Sequence, residues 1–336
     1  MVARAQLIDI SPGFTPLLKS IYPKTLVATL DEDKGIKSLP VAIAEGANFL
    51  PTITGWFPVG YREASLAFPP LPPAYGFQQY VQDIICYGTQ DTPLRLVALT
   101  ATGAYAKDPF VGTWEPVLDS EDFSAIAKPW SWCVVGDVLY FSNGHNNRIY
   151  KIDKAATTFF EPSFVTTFEG VFKAGTRIGV WDSSGTIFWS AAEDHTDFEP
   201  SLTSLAGYAQ FEGVVGHIKT VLSHGEGFII YTDTSIVGAR FLPTSDLVWD
   251  AQVILPNTGI LVSKCVCQGV KDTEHYAWTP QGLYKIQMYA YEGTTHPAEL
   301  LKPEIQDYLL DADIVYPSFV GDRYLTLSFT KARESF

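Results

Sequence analysis

Residues Asp137–Asp153, DVLYFSNGHNNRIYKID, decide the fold, because two short apolar runs flank one polar turn. Runs rich in aromatic and β-branched residues favour strands, and Asn, Gly and Ser between them favour a turn. The same strand–turn–strand pattern occurs in five other segments, which are Leu94–Lys107, Gly185–Glu193, Gly227–Phe241, Glu274–Gln287 and Gly321–Phe329. The sequence therefore predicts a β-rich repeat protein.

The repeat has a regular period. Its six centres can be placed at Ala98, Tyr140, Phe188, Ile230, Ala277 and Leu325. The gaps between these centres are 42, 48, 42, 47 and 48 residues, a period typical of propeller blades and too long for leucine-rich repeats. A unit of this size cannot bury its own apolar face and must stack on its neighbours. We therefore predict an all-β fold, a β-propeller of roughly six to seven blades.

The N-terminal part does not share the repeat. There, an Asp-Glu-Asp-Lys-Gly turn separates Thr25–Leu30 from Ile36–Ile43, and these two runs can pair as a hairpin. We predict an N-terminal extended arm or strand pair over residues 1–50 and a propeller domain over residues 51–336. The arm either adds an edge to its own domain or reaches a neighbouring subunit. Helical periodicity predicts one short helix, at Pro303–Ala312.

Composition and charge limit the classes of function. The chain has 336 residues, of which 46% are apolar and 18% charged, so a buried core is expected and general disorder is not. The net charge of −14 disfavours a protein that grips nucleic acid, although not a surface past which DNA slides. No apolar run reaches about 18 residues, so no membrane-spanning segment is predicted. Met1–Ser11 lacks a signal-peptide pattern, which predicts a protein made in the cytoplasm.

Candidate metal ligands are few. The four cysteines form no C-x-x-C pair and the six histidines have no paired spacing, so neither set favours a metal site. Cys265 and Cys267 are interpreted as small core residues of one strand. Glu193, Asp194 and Asp197 could offer oxygen ligands to Ca²⁺. Their spacing is not that of an EF-hand loop, and a solvated turn is the preferred interpretation.

Catalytic motifs do not emerge either. The sequence contains no nucleophile elbow, no P-loop and no dinucleotide-binding glycine pattern. The segment Trp181–Trp189 resembles the Asp box of sialidase-type propellers, but Asp182 and Gly185 stand one residue too far apart. We therefore predict no catalytic residues, no cofactor and no metal, and not an enzyme. Paired carboxylates that meet only in the folded chain stay open.

Several residues are interpreted as scaffold. Gly136-Asp137 predicts a two-residue hairpin turn, and the Thr232–Ser235 segment predicts a turn built by its own side chains. Trp189 and Trp249 have the bulk to pack between blades. Three other aromatic residues are expected to cover blade interfaces rather than to stack on sugars, namely Trp130, Tyr289 and Tyr291.

Four motifs also follow one another in a characteristic order. They are Trp130-Ser131-Trp132 before the Gly136-Asp137 turn, Ile187-Phe188-Trp189-Ser190 before Thr196-Asp197-Phe198, Gly227–Ile236, and Gln281–Ile286. This series, across about Trp56–Leu325, resembles the propeller-type virion proteins of tailed bacteriophages, the group that includes tail nozzle and tail tubular proteins. Nozzle proteins commonly carry further domains, so the position in a tail (neck, nozzle or tip) stays open.

The resemblance implies a structural component of a virion tail, assembled in the host cytoplasm. Such a subunit would form a symmetric ring with copies of itself and contact neighbouring phage tail proteins. The ring would help to form or close the DNA conduit, with genomic DNA passing through it and not bound by sequence. The acidic charge would suit a lumen to which DNA must not stick.

Two other functions are compatible with a propeller. One is a carbohydrate-binding or glycan-cleaving module for host recognition, which needs aromatic residues or carboxylates that converge on one face. The other is a regulatory propeller that docks peptides. The Trp-Asp dipeptide typical of that class occurs only at Trp181-Asp182 and Trp249-Asp250.

Overall fold

The structure, a computed structural model, describes most of the chain from residue 129 onward and parts of what precedes it. The described ranges are 49–52, 55–58, 81–89, 92–100, 103–108, 115–117, 129–153, 156–242, 248–269, 271–288, 298–300, 314–320 and 324–330. These ranges contain antiparallel strands and two 3-10 turns, at His145–Asn147 and Ser263–Cys265. Within them, no helix has the length and apolar character needed to span a bilayer.

The chain divides into two units, Met1–Ala67 and Phe68–Phe336. In the first unit, β1 (Phe49–Thr52) pairs antiparallel with β2 (Gly55–Pro58). The predicted hairpin at Thr25–Leu30 and Ile36–Ile43 lies outside the described residues, as does the predicted helix at Pro303–Ala312.

The second unit contains five four-stranded antiparallel sheets, each made of four strands in chain order. Sheet 1 consists of β3 (Val81–Thr89), β4 (Thr92–Thr100), β5 (Gly103–Lys107) and β6 (Glu115–Pro116). Sheet 2 consists of β7 (Ser131–Val135), β8 (Val138–Ser142), β9 (Ile149–Asp153) and β10 (Ala156–Phe160). Sheet 3 consists of β11 (Gly170–Ala174), β12 (Arg177–Trp181), β13 (Ile187–Trp189) and β14 (Gly207–Ala209).

Sheets 4 and 5 continue the same arrangement. Sheet 4 consists of β15 (Ile218–His224), β16 (Gly227–Thr232), β17 (Ile236–Phe241) and β18 (Trp249–Leu255). Sheet 5 consists of β19 (Val266–Gln268), β20 (His275–Thr279), β21 (Gly282–Ile286) and β22 (Ala298–Leu300). A two-stranded sheet follows, made of β23 (Ile314–Val320) and β24 (Tyr324–Thr330).

The first strands of neighbouring sheets contact one another. β7 packs against β11, β11 against β15, and β19 against β23. The sheets therefore meet at their first strands and place their fourth strands at the outer edge, as the blades of a propeller do. The all-β propeller predicted from the sequence is confirmed.

Because successive side chains point to opposite faces of a strand, each central sheet contributes to two hydrophobic clusters, one on each face. In β16, Phe228 and Ile230 pack into the cluster shared with sheet 3, whereas Ile229 and Tyr231 pack into the cluster shared with sheet 5. Successive side chains of a strand point to opposite faces, so a continuous apolar run is what a sheet buried on both faces requires. Two further clusters lie between sheets 1 and 2 and between sheets 2 and 3.

The turn after the second strand repeats as well. In sheet 4, the Thr232 hydroxyl accepts the Ser235 N–H at 2.7 Å and donates to the Ser235 carbonyl at 3.0 Å. The predicted side-chain turn at Thr232–Ser235 is thus confirmed. Hydroxyls of the same kind close the turns of sheets 1 and 5, where Thr100 donates to Gly103 O and Thr279 to Gly282 O.

In sheet 3, the predicted repeat centre lies in a different strand from the centres of the other sheets. Five of the six centres lie in the second strand of their sheet, but Phe188 lies in β13, the third strand of sheet 3. Val180 in β12 takes the equivalent position, 40 residues after Tyr140 and 50 before Ile230. The sequence suggests the wrong strand as the centre because β13, and not β12, carries the aromatic run. β12 contains Gly179, and the Phe172 ring occupies the space that a Cβ of Gly179 would fill.

Other local predictions can be compared directly. Val135 pairs with Val138 across Gly136-Asp137, and Gly136 has a φ of 59°, so the two-residue hairpin turn is confirmed. Trp130 is 5% exposed and packs between sheets 1 and 2. Cys265 is fully buried but lies in a 3-10 turn before β19, not in the strand that holds Cys267. Tyr289 and Tyr291 lie outside the described residues.

We predict that Gly259→Ala destabilises the protein by about 2 kcal/mol or more, because an added methyl group here cannot be accommodated without backbone movement. Its Cβ would lie 2.3 Å from Thr232 O and 2.4 Å from Thr234 N, in the turn of sheet 4. Urea unfolding measures the change in the free energy of unfolding.

Gly103→Ala is the matched control for this substitution. A Cβ at Gly103 has no atom within 4 Å, so the variant should equal the wild type or gain up to about 1 kcal/mol. Equal stabilities for the two variants would contradict the steric argument.

Candidate functional site

A groove of about 630 Å³ lies between the outer edges of sheets 3 and 4. Its volume is within the range of small-molecule sites, roughly 300–1,000 Å³. β14 on one side has three residues and β18 on the other has seven, so the two edges do not match along their length. Most of the residues that border the groove are apolar or aromatic, and they include Trp189, Leu205, Phe211, Val248 and Trp249.

Two buried tryptophans form the inner wall of the groove. Trp189 and Trp249 are 5% and 3% exposed, and their rings meet edge to face at 6.1 Å. Both lie in the core cluster between sheets 3 and 4, so the prediction that they pack between blades is confirmed. They are thus core residues and groove residues at once.

The two indole N–H groups differ in their partners. Trp189 Nε1 donates to Leu205 O at 2.7 Å. Trp249 Nε1 is buried and meets no hydrogen-bond acceptor among the residues that the structure describes. A buried donor without an acceptor costs about 1–3 kcal/mol, and native structures contain few of them. Trp249 Nε1 is therefore a buried donor that stays unsatisfied within the described part of the chain.

The loop before β14 is held firmly at the groove. Leu205 adopts a φ of 54°, which turns its carbonyl toward Trp189. Arg177 is 7% exposed and donates to Ser190 O and Ser204 O, both at 2.8 Å. Because charged hydrogen bonds of this kind are strong, the wall of the groove is fixed before any ligand arrives.

Exposed aromatic rings lie on the other face of sheet 3, toward sheet 2, because Tyr208 pairs across the strands with Phe188, which packs against the cluster between sheets 2 and 3. Tyr208 is 52% exposed and stacks on Phe164 at a centroid distance of 5.6 Å and an angle of 27°. Phe188 packs against the same tyrosine at 5.7 Å. Phe164 is 55% exposed and has a φ of 67°, a strained conformation for a bulky residue. Such strain is retained most often at functional sites.

The polar residues of the groove are acidic or neutral. Ser201, Gln210, Glu212 and Asp250 line it, and none of its described lining residues is a lysine or arginine. Asp250 pairs with Arg240 from outside the lining, Oδ2 to Nε at 3.0 Å and to Nη2 at 2.9 Å. The groove therefore offers carboxylate acceptors to hydroxyl groups and disfavours anionic ligands.

A second polar constellation spans the centre of the sheets. Asp83 Oδ2 accepts from Trp132 Nε1 at 2.8 Å and from Lys264 Nζ at 2.6 Å. Asp83 lies near the start of β3, and Trp132 lies near the start of β7. Lys264 lies in the 3-10 turn Ser263–Cys265, which directly precedes β19. These bonds join sheet 5 to sheets 1 and 2 near the starts of their first strands.

A buried histidine pair lies between sheets 4 and 5. His275 Nδ1 accepts from the Tyr231 hydroxyl at 2.8 Å, and its Nε2 donates to Ser223 O at 2.8 Å. His224 packs edge to face on His275 at 5.3 Å and accepts the Met288 N–H on Nε2 at 3.1 Å. Burial, and secondarily the neighbouring His224, lower the pKa of His275 to about 3. Burial also lowers the pKa of His224.

The histidine pair is therefore neutral at physiological pH, and His275 has a hydrogen-bond partner on each ring nitrogen. A perturbed pKa can mark an active site. Here, however, both side chains are fully buried and lie against core residues of sheets 4 and 5. We interpret the pair as part of the packing between these sheets.

The acidic loop after β13 forms turns. Asp194 Oδ1 accepts from the Thr196 N–H at 2.9 Å and its hydroxyl at 2.7 Å, and Asp197 Oδ1 accepts the Glu199 N–H at 2.9 Å. The two hydrogen bonds from Thr196 lower the pKa of Asp194. The predicted turn is confirmed for this segment. In the described part of the chain, no three His, Cys, Asp or Glu side chains are grouped as metal ligands would be.

The groove was not predicted from the sequence. Trp189 and Trp249 are 60 residues apart, and each pattern indicates only a buried aromatic residue. What brings them together is the packing of sheet 3 against sheet 4. No local pattern could have indicated this packing.

Comparison with known proteins gives no family. No protein-family model matches the chain, and no curated protein matches it.

Solved structures with similar arrangements exist at low identity. The extracellular domain of the putative one component system BT4673 from B. thetaiotaomicron has 11% identity and a TM-score of 0.37, and covers 67% of this chain and 33% of its own. BBS1N in complex with ARL6DN has 13% identity and a TM-score of 0.43, covering 67% and 69%. Human WBSCR16 has 13% identity and a TM-score of 0.39, covering 72% and 68%.

These likenesses carry no conclusion about function. The chain spans about a third of the length of the BT4673 domain, and all three TM-scores are below 0.5. The assignment of an all-β propeller rests on the five four-stranded sheets of the chain itself.

We predict that Trp189→Phe lowers the free energy of unfolding more than Trp249→Phe, by roughly 1 kcal/mol. Both substitutions remove similar volume from one cluster, but only the first leaves a carbonyl, Leu205 O, without its donor. Urea unfolding of the two variants measures the difference. An equal loss, or a larger loss for Trp249→Phe, would show that Trp249 Nε1 has a partner in solution.

We predict that acid destabilises the protein through its histidine pair. A pKa of about 3 in the folded state and about 6.5 in the unfolded state means that the unfolded chain binds more protons between these values. Stability from His275 is therefore present above pH 6.5 and lost as pH falls toward 3, by at most about 1.4 kcal/mol per pH unit.

His275→Gln should lower stability at pH 7 but flatten its decline between pH 6.5 and pH 4. Unfolding free energies measured by urea across this range test the slope. His217→Gln, at an exposed histidine, is the matched control and should keep the wild-type slope. Parallel curves for wild type and His275→Gln would contradict the assignment.

Proposed function

We propose that this protein is a structural subunit of a tailed-bacteriophage virion, a nozzle- or tail-tip-like propeller that assembles into a ring around the DNA conduit. The sequence resemblance motivates the proposal, and exposed apolar residues on the outermost strands of the sheets, here called the outer rim, support it. Four consecutive sheets each present a large apolar side chain to solvent from the outermost strand. These residues are Phe159 on β10, Tyr208 on β14, Val253 on β18 and Leu300 on β22.

Such a rim supports lateral assembly. The four side chains are between 39% and 52% exposed, and in the assembly that we propose each would be covered by another protein chain. The outer strands are also sheet edges, which attract further contacts. Oligomers of one chain most often have closed point-group symmetry, and a ring forms when head-to-tail contacts close.

The contact at the centre of the sheets is the reason to place the DNA conduit outside the single propeller. The contact of Asp83 with Trp132 and Lys264 joins sheets 1, 2 and 5 across the middle of the molecule. A DNA duplex, whose major groove alone is about 12 Å wide, would have to break this contact to pass. DNA would therefore pass between several copies, and the net charge of −14 would keep it from sticking.

We predict that the purified protein forms a ring whose mass is a multiple of the 37.1 kDa chain, and that Phe159→Ser together with Leu300→Ser reduces it to monomers. The two serines remove apolar area from the outermost strands of sheets 2 and 5, so the association loses its driving force. Light scattering after gel filtration gives the mass, and electron microscopy shows the ring.

Leu261→Ser is the matched control, because Leu261 is 49% exposed but precedes β19 at the inner side of sheet 5. This variant should assemble as the wild type does. A wild-type monomer that is absent from tailed particles of the source culture would overturn the proposal. A ring whose lumen is lined by Lys and Arg would remove the charge argument.

A further inference from the structure

We propose that the outer side of the junction between sheets 2 and 3 docks a basic segment of another protein, whose arginine or lysine lies over Phe164 and Tyr208 and pairs with Asp197. Together with Phe188, the two rings form what we call the aromatic surface. This function is additional to ring assembly and does not depend on it. Four observations support it, namely two exposed rings, their anchoring, the charge around them, and an arginine that the chain itself binds in this way.

The aromatic surface contains two large rings that the chain leaves uncovered. Tyr208 is 52% exposed and Phe164 is 55% exposed, and the two stack at a centroid distance of 5.6 Å. Phe188 pairs with Tyr208 across β13 and β14, and their rings are 5.7 Å apart. The face of an aromatic ring is slightly negative and attracts a cation. Arginine suits such a place best, because its planar guanidinium stacks on aromatic faces.

Phe164 is held in place by its two neighbours in the chain. The Ser163 hydroxyl accepts the Phe198 N–H at 2.8 Å. Val165 is buried, and its carbonyl accepts from Asn147 Nδ2 at 2.6 Å. A ring that is exposed while its backbone is anchored loses little conformational freedom when a partner covers it, which favours binding.

A carboxylate lies next to the ring pair. Asp197 Oδ1 accepts the Ser163 hydroxyl at 3.4 Å, and Ser163 directly precedes Phe164. The same oxygen accepts the Glu199 N–H at 2.9 Å. Asp197 Oδ2 makes no hydrogen bond within the part of the chain that the structure describes. This second oxygen is therefore available to a cation that approaches the rings.

The charge around the aromatic surface favours a cationic partner. Residues 156–172 and 178–218 supply its three rings and the loops beside them, and they contain eight Asp or Glu and no Lys or Arg. The whole chain carries −14. Acidic segments and nucleic acid are therefore disfavoured, whereas a basic segment has the complementary charge.

The chain already holds one of its own arginines in this way. The guanidinium carbon of Arg148 lies 4.2 Å from the ring centroid of Phe159, and its Nε lies 3.7 Å from Glu161 Oε1. An aromatic face and a carboxylate thus bind one guanidinium at sheet 2. Among the described residues, no cation lies in this way over Phe164 or Tyr208, so that place is open to a cation from another chain.

A chain segment fits this surface better than a free cation does. A cation over an exposed ring gains little by itself, whereas a segment also covers the apolar area of Phe164, Phe188 and Tyr208. The partner is therefore a protein segment in which arginine or lysine stands beside an apolar residue.

The test probes the full chain with an array of short random peptides. The best peptide that contains arginine is then titrated by calorimetry, next to a copy in which neutral citrulline replaces arginine. We expect arginine and lysine to be enriched among the bound peptides, and the citrulline copy to bind about tenfold more weakly. Added salt should weaken the binding of the arginine peptide, because exposed charges are screened.

Three variants are titrated with the same peptide. Tyr208→Ala should bind it about tenfold more weakly and Asp197→Asn about threefold more weakly, because the first loses a ring and the second a charge. The amide that replaces the carboxylate can still accept the Ser163 hydroxyl, so the turn is kept. Phe159→Ala is the matched control, because Arg148 already covers that ring, and it should bind as the wild type does.

The outcomes separate clearly. Enrichment of neutral or acidic peptides, equal affinities for the arginine and citrulline peptides, or an unchanged affinity of Tyr208→Ala would overturn the proposal. The titration is repeated with Phe159→Ser together with Leu300→Ser, which frees Tyr208 if a ring covers it, and absence of binding to both forms would overturn the proposal as well. Ring assembly is measured as mass and docking as peptide affinity, so either proposal can fail alone.

Discussion

The whole structure depends on the face-to-face packing of neighbouring sheets. A four-stranded sheet of this size has two apolar faces, as Phe228 and Ile229 show on the two sides of β16, and neither face can be covered by the sheet itself. Each buried side chain of this kind contributes roughly 1.5–3 kcal/mol when it leaves water. One sheet alone would therefore be unstable, and stability comes from the four clusters shared between neighbours.

Polar groups are arranged so that this packing is not interrupted. Thr100, Thr232 and Thr279 close the turn after the second strand with hydroxyl-to-carbonyl bonds, which keeps backbone groups paired where the chain reverses. The pair of His224 and His275 is buried in neutral form, so the interface of sheets 4 and 5 stays uncharged above the pKa of the unfolded histidines. Asp83, Trp132 and Lys264 join sheets 1, 2 and 5.

The groove follows from the same packing at the point where it is incomplete. Toward the outer edge, the short strand β14 leaves part of the wall formed by Trp249 without a partner sheet. Aromatic residues that serve as core further in become the wall of a site there. The indole N–H of Trp249 stays unsatisfied within the described residues, whereas that of Trp189 donates to Leu205 O.

The sequence by itself determined the class of the fold, the hairpin turn at Gly136-Asp137 and the turn at Thr232–Ser235, since each depends on residues close together in the chain. It also determined that Trp189 and Trp249 are buried. Tertiary structure alone decided that Val180, not Phe188, continues the repeat, because the aromatic run of sheet 3 falls on the third strand. Tertiary structure alone also decided where the groove lies. The groove joins Trp189 and Trp249, which are 60 residues apart, and the periodicity of the sequence does not indicate which faces of the sheets pack together.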